Sequence, residues 1–351
     1  MTEHGGNIYS FAKKNGVDER EILDFSASIN PLGLPDSVIS EIRNIDSSMY
    51  HYPDPDSGRL KQTISIYYGI KQESVICGNG STELIYLCAR AFKPKKVLIP
   101  SPTFSEYERA SLLTGAEIKY HKLKEENYFD LEHEEFIKDL KGCDMAFICN
   151  PNNPTGRHIS KELMLKLAKS ARESKCYLVV DEAFIDFIPE NSLIHEAENN
   201  PFLIVLRSMT KFYALSAFRL GFGVFHQSLI RNILKNKEPW TVNTFAQIAG
   251  IAALRDKEYT EKTFQIITDC KKLMKEGFER LSLEYLASAV NYYLLKIKNA
   301  QQAIKSLQSS NIMVRDCSNF KGLNGSYIRV AVKSKEDNLR LLKGLENICA
   351  Q

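Results

Sequence analysis

The sequence carries no excess of charge of either sign. Its 351 residues hold 46 Lys and Arg against 43 Asp and Glu, a formal net charge of +3. No block of basic residues accumulates, so a polyanionic partner such as nucleic acid is not expected, while a small anion held by a few arginines stays open. Apolar runs are short, none reaching about 18 residues. Met1–Ser10 is polar without an apolar h-region, so neither a membrane span nor a signal peptide is expected, and the expected location is the cytoplasm. The eight cysteines (Cys77, Cys88, Cys143, Cys149, Cys176, Cys270, Cys317 and Cys349) form no C-x-x-C pair and no zinc spacing. They sit mostly in apolar segments and read as reduced core thiols, with no metal site expected. No repeat and no low-complexity tract is found.

What is present is an ordinary globular composition, 44% hydrophobic and 25% charged, on a chain long enough for two domains. Residues 1–35 are punctuated by Gly5-Gly6-Asn7 and by Ile29-Asn30-Pro31-Leu32-Gly33-Leu34-Pro35, and read as an arm lying on another surface or as a tail. From 36 to 250 short apolar runs alternate with helical segments. Strands are expected at 75–77, 96–99, 117–120, 145–149, 177–180, 202–206 and 221–225, and helices near 36–45, 83–92, 104–114 and 160–174. Short buried strands alternating with helices predict an α/β domain with a mostly parallel sheet. A long helical region, about 243–280, leads into a small α+β unit over 251–351, with strands at 291–297 and 326–332.

Four polar clusters stand just after strands, where ligands of such sheets bind. Gly78-Asn79-Gly80-Ser81-Thr82-Glu83 opens a helix with free N–H groups and two hydroxyls, suited to a phosphate. It is neither a dinucleotide fingerprint nor a P-loop, because Glu83 takes the third glycine position and no Gly-Lys-Ser/Thr follows. Asn150-Pro151-Asn152-Asn153-Pro154-Thr155-Gly156 is a rigid turn or a set of amide donors for a phenolic or carboxylate oxygen. Asp181 ends an apolar run, where a buried acid needs a cation, a donor or a helix to cap.

Arg207-Ser208-Met209-Thr210-Lys211 then places a lysine beside hydroxyls, with Arg219 following. Most lysines are solvated, and Ser208 to Lys211 also spells S-x-x-K, but the S-D-N and K-T-G partners of that motif are absent. A phosphate seat, an asparagine turn, an acid and a lysine, in this order, describe pyridoxal 5′-phosphate. Lys211 is then the Schiff-base lysine, Asp181 the acid that keeps the pyridine nitrogen protonated, and Ser208, Arg219, Gly80, Ser81 and Thr82 the phosphate ligands. Phe104 is a candidate to stack on the ring, or a core side chain. Arg207, Glu182 and Asp186 read as structural ion pairs near the crevice.

On these motifs the chain resembles the fold-type I pyridoxal-phosphate enzymes of the aminotransferase superfamily over nearly its full length. The resemblance implies a large domain with a mostly parallel sheet, a small C-terminal α+β domain, and a homodimer. It also places Asn153 near the ring hydroxyl and Tyr52 on the phosphate of the neighbouring subunit. Two branches compete. Histidinol-phosphate aminotransferases share the motifs but usually carry a tyrosine where Phe184 stands. The chain is also similar to the L-threonine O-3-phosphate decarboxylases of cobalamin biosynthesis, through His4-Gly5-Gly6-Asn7, residues 24–33, 181–187 and 206–213, and Arg315 to Ala331. That likeness implies decarboxylation to (R)-1-amino-2-propanol phosphate, with serine phosphate as a second candidate substrate. It puts His4, Asn30 and Arg315 on the substrate phosphate and Arg329 on the α-carboxylate, with Asn153 at the same site. Without it, each of these is as readily a surface hydrogen bond or ion pair. No helix-turn-helix domain or basic extension precedes residue 36, which argues against a pyridoxal-phosphate-binding transcription regulator.

Overall fold

The computed structural model describes residues 4–45 and 47–349. The chain begins with a helix, Ile8–Asn15, whose first turn is capped by the Asn7 side chain accepting from the Ser10 N–H. A two-residue strand follows, β1 (Leu23–Asp24). Next come β2 (Val75–Asn79), β3 (Lys96–Ser101), β4 (Glu117–Lys122), β5 (Met145–Cys149), β6 (Tyr177–Asp181), β7 (Leu203–Ser208) and β8 (Leu220–Val224). These seven form one sheet in the order β2-β8-β7-β6-β5-β3-β4, in which β8 runs antiparallel to both neighbours and the other pairings are parallel.

Every residue of β5, β7 and β8 is buried. Their near-continuous apolar runs are what a sheet covered on both faces requires. Alternation sorts the side chains: Leu178 and Val180 pack into one core and Val179 into the other. The crossover helices that cover the sheet, among them Gly80–Phe92 and Lys161–Glu173, leave the carboxyl ends of β2, β5, β6 and β7 together on one edge.

The expected helical region 243–280 is two helices, Thr244–Arg255 and Lys257–Arg280. Asp256 separates them, its carboxylate accepting from the Tyr259 N–H as the cap of the second. Beyond them, β9 (Glu284–Tyr285), β10 (Tyr292–Lys296), β11 (Ile312–Met313), β12 (Arg315–Asp316) and β13 (Tyr327–Ala331) complete the small unit. Four of these form an antiparallel sheet in the order β12-β13-β10-β9.

β11 pairs instead with β1, in parallel, Leu23 opposite Ile312. The 1–35 stretch is therefore not all arm, since its middle is a strand of the C-terminal unit. Phe25, fully buried, extends that join: its N–H donates to Met313 O, and its carbonyl accepts from the Ala331 N–H. The turn after β1 is thereby fixed beside β13, which carries Arg329. The seven described cysteines are buried and free, and the Cys349 side chain lies outside the described residues. Among the described residues no helix is long and apolar enough to cross a membrane.

Candidate active site

Gly80 opens the helix after β2 with φ +75°, and its cap residue Asn79 offers no side-chain bond to the helix start. The backbone there is closely confined. A Cβ on Gly221 of β8 would lie 2.4 Å from the Ser81 nitrogen, and one on Gly80 would lie 2.9 Å from Arg219 Nη2. Two glycines therefore let the helix start, a neighbouring strand and a guanidinium share one small space, which is a seat for an anion. Arg219 is itself left-handed (φ +61°) and is held by Nη1 donating to Ser216 O at 3.1 Å. Ser208, at the end of β7, lies 2.7 Å from the Thr210 hydroxyl, Oγ to Oγ1. Thr210 also lines the cavity, a hydroxyl the motif contained but the sequence reading left without a role.

Asp181, 2% exposed, ends β6. Its Oδ2 accepts from Tyr107 Oη at 2.7 Å and its Oδ1 from the Ala183 N–H at 3.1 Å. Burial raises its carboxyl to about 6, against the opposing pull of those two donors and of Lys211. Lys211 faces the same space. Burial, and then the guanidinium groups of Arg329 and Arg219, bring its ammonium down to about 8. Its Nζ stands 5.8 Å from the centre of the Phe184 ring, which presents carbon and no donor.

The asparagine turn divides in two. Asn150 exchanges hydrogen bonds with the backbone of Ile159, and Asn152 donates to Pro102 O and Thr155 Oγ1, so these two amides hold the turn itself. Asn153 faces the cavity, where its Oδ1 accepts from Arg329 Nη1. Arg329 Nη2 donates to Ser26 O at 2.8 Å, and its Nε has no partner among the described residues. Arg315 lines the same cavity over the Phe320 ring, donating to Asp316 O and Asn319 Oδ1.

The cavity these groups enclose has a volume of about 470 Å³. It brings together Gly80, Ser81, Thr82, Phe104, Asn153, Asp181, Ser208, Lys211, Arg219, Arg315, Arg329 and His4. Two expected residues are not among them. Asn30 is buried elsewhere: its Nδ2 donates to Phe212 O and Thr263 Oγ1, and its Oδ1 accepts from the Leu32 N–H. With its amide engaged in this way, its backbone N–H donating to Lys211 O, it braces the lysine segment and does not face a substrate. Tyr52 is 81% exposed beside Trp240, away from its own chain's cavity.

The sequence reading missed Tyr107 and Glu106, which line the cavity from the helix that follows Phe104. Arg207, 1% exposed, pairs with Glu182 and Asp186 behind the site, as expected for structural ion pairs.

The donor set suits a phosphorylated pyridine. A glycine-lined seat with one guanidinium matches the phosphate, a buried acid of raised pKa matches a ring N–H⁺, and a lysine of lowered pKa matches an aldehyde carbon. The model for aminotransferase class I and II matches residues 20–345. The chain belongs to that family. Among its relatives, the putative threonine-phosphate decarboxylase of Caldanaerobacter subterraneus subsp. tengcongensis is 40% identical, over 99% of this chain and 94% of the relative. The threonine-phosphate decarboxylase of Salmonella typhimurium is 35% identical, over 98% and 96%. The crystal structure of the histidinol-phosphate aminotransferase from Clostridium acetobutylicum superposes with a TM-score of 0.88 at 31% identity, over 94% of this chain and 99% of that one. The class I and II fold is thus the fold-type I architecture expected from the sequence, and pyridoxal phosphate is the cofactor the family implies.

Proposed function

We propose that this chain is a pyridoxal-phosphate-dependent decarboxylase that converts L-threonine O-3-phosphate to 1-amino-2-propanol O-phosphate and CO2. The observation that carries the reading is the seating of His4, from the N-terminal arm, at the wall of the cavity that also holds Lys211, Arg315 and Arg329. The two decarboxylase relatives support it.

Pyridoxal phosphate, when bound, supplies a protonated ring that accepts the electron pair of the broken bond. Ser81, Thr82, Ser208 and Arg219 would hold its phosphate, Asp181 its ring nitrogen, Asn153 its ring oxygen and Lys211 its aldehyde carbon, with Phe104 against the ring face. Arg329, anchored on Asn153 and Ser26, then meets the substrate carboxylate with a guanidinium whose Nε is unused. Arg315 and His4 meet the phosphate.

Two fixed anion sites at opposite ends of a short substrate set the rotation at Cα, and so which bond stands out of the ring plane. Phe104 and Phe184 line the cavity with apolar faces that would limit water at Cα. Lys211, whose ammonium is brought down to about 8 by burial and two guanidinium groups in the cofactor-free chain, would supply the proton that replaces the carboxylate on Cα. The exposed Tyr52 reaches the phosphate seat of a second copy in a homodimer. The buried free thiols suit a reducing cytoplasm.

Holoenzyme incubated with threonine phosphate should release CO2 and form the phosphorylated amino alcohol. Serine phosphate should turn over more slowly, because the missing methyl group is worth only about 1–3 kcal/mol of discrimination. Consumption of a 2-oxo acid acceptor with histidinol phosphate, and no CO2, would replace this reading with the aminotransferase one.

A further inference from the structure

His4 reaches the cavity from a segment that little else holds there. Gly6 N–H donates to Ser26 Oγ at 2.7 Å, and Gly5 lies so close to that turn that a Cβ on it would stand 2.4 Å from Ser26 O. These contacts seat the backbone of the arm on that turn but do not aim the imidazole. The ring is aimed by Glu106, whose Oε1 lies 2.7 Å from His4 Nε2. Glu106 is 5% exposed, and a carboxylate that deep needs its lone pairs met. His4 meets one oxygen, Tyr86 Oη donates to the other, and Arg109 Nη1 stands 3.8 Å away. On its other side the imidazole lies against Phe104, ring centres 5.4 Å apart.

We propose that Glu106 is the latch of the N-terminal arm, a positioning residue that holds His4 over the active-site cavity through the bond to its Nε2. A carboxylate can only accept, so Nε2 carries the hydrogen of that bond and Nδ1 is the ring atom left for the substrate, where it donates to a phosphate oxygen only when it too carries a hydrogen. Glu106 therefore fixes both where the imidazole sits and which nitrogen it presents. Tyr86, donating from the helix Gly80–Phe92, aligns the carboxylate and ties the latch to the element that begins at the phosphate seat. His4 and Phe104 also stand between this cavity and a second, outer one of about 930 Å³, so the latch holds part of the wall between the two.

The consequence for catalysis rests on the function proposed above, but the consequence for the arm does not. Two measurements separate them. In the holoenzyme, Glu106→Ala, which removes the acceptor, should speed hydrogen exchange at the Gly6 amide, because without the latch only the contacts to Ser26 hold the arm and it leaves that turn more often. In turnover of threonine phosphate, the same variant should raise KM about tenfold with a smaller change in kcat, since one charge-assisted bond is lost.

His4→Ala should raise KM similarly, and the double variant should be no worse than His4→Ala alone, which is the coupling expected when one residue acts through the other. The dissociation constant for pyridoxal phosphate should stay within about twofold in all three, a readout that also reports correct folding. Unchanged exchange at Gly6 in Glu106→Ala, or KM effects that multiply in the double variant, would overturn the proposal. Absence of CO2 from the wild-type enzyme would overturn the reaction and leave the exchange result to decide the latch.

Discussion

Tyr107 donates a hydrogen bond from Oη to Asp181 Oδ2 at 2.7 Å, both groups fully enclosed and the phenol stacked 5.1 Å from the Phe147 ring. That bond favours the carboxylate form of an acid whose pKa burial has already raised to about 6. Tyr107→Phe keeps the stacking and removes the donor, so the Asp181 pKa should rise further. Pyridoxal phosphate should bind roughly tenfold more weakly, and the acid limb of cofactor binding to the cofactor-free protein should move to higher pH. Equilibrium dialysis of the cofactor over a pH series measures both effects.

The cofactor-free protein should show opposite pH trends from its two buried groups. Asp181 has a folded pKa raised to about 6, so between about 4 and 6 the folded state binds more protons than the unfolded state and stability falls as pH rises. Lys211 has a folded pKa lowered to about 8. Its penalty is fully present below 8 and disappears as pH rises toward about 10.5. Lys211→Met should therefore stabilise the cofactor-free protein at pH 7 by about 1–3 kcal/mol, with the difference closing at high pH. Denaturant titrations at several pH values measure it, and borohydride should fix no pyridoxyl group on that variant.

Arg315 and Arg329 should separate by substrate. Arg315→Gln should weaken threonine phosphate by roughly 10- to 100-fold in kcat/KM and leave unphosphorylated threonine as poor a substrate as before. Arg329→Gln should impair both, because every amino acid brings the carboxylate. Equal losses in the two variants for both substrates would reject the division of labour.

Gly221→Ala places a methyl group against backbone atoms of Gly80, Ser81 and Arg207. None of these is the end of a flexible side chain, so β8 or the start of the helix Gly80–Phe92 must shift. The expected outcome is a folded protein that loses pyridoxal phosphate on dialysis, seen as loss of cofactor absorbance with little change in the far-ultraviolet dichroism.

The parts of the proposed cofactor seat were legible because they are local. Gly80, Asp181 and Lys211 each follow a run of buried strand residues, and a parallel sheet brings strand ends to one edge whatever the loops do. The substrate side depends on partners far apart in sequence, which no local pattern encodes. Asn30 lies in a Gly- and Pro-rich loop of the kind that reaches solvent, yet Phe212 O and Thr263 Oγ1 take up its amide. Tyr107 and Glu106 sit on one short helix, and nothing in the spacing from Phe104 says that they meet residues 74 and 102 positions away. The break at Asp256 was hidden because the flanking helical periodicity is continuous in kind, and only the capping side chain reveals it.

Ser26 holds two things at once: its hydroxyl accepts from the arm at Gly6, and its carbonyl accepts from Arg329. With Arg329 on the carboxylate as proposed, arm docking and carboxylate recognition would be linked equilibria, and linkage is reciprocal: whatever tightens one through this turn would tighten the other by the same factor. A substrate with both a phosphate and a carboxylate would draw on that cooperativity, and an analogue lacking either group would lose more affinity than the missing contact alone accounts for.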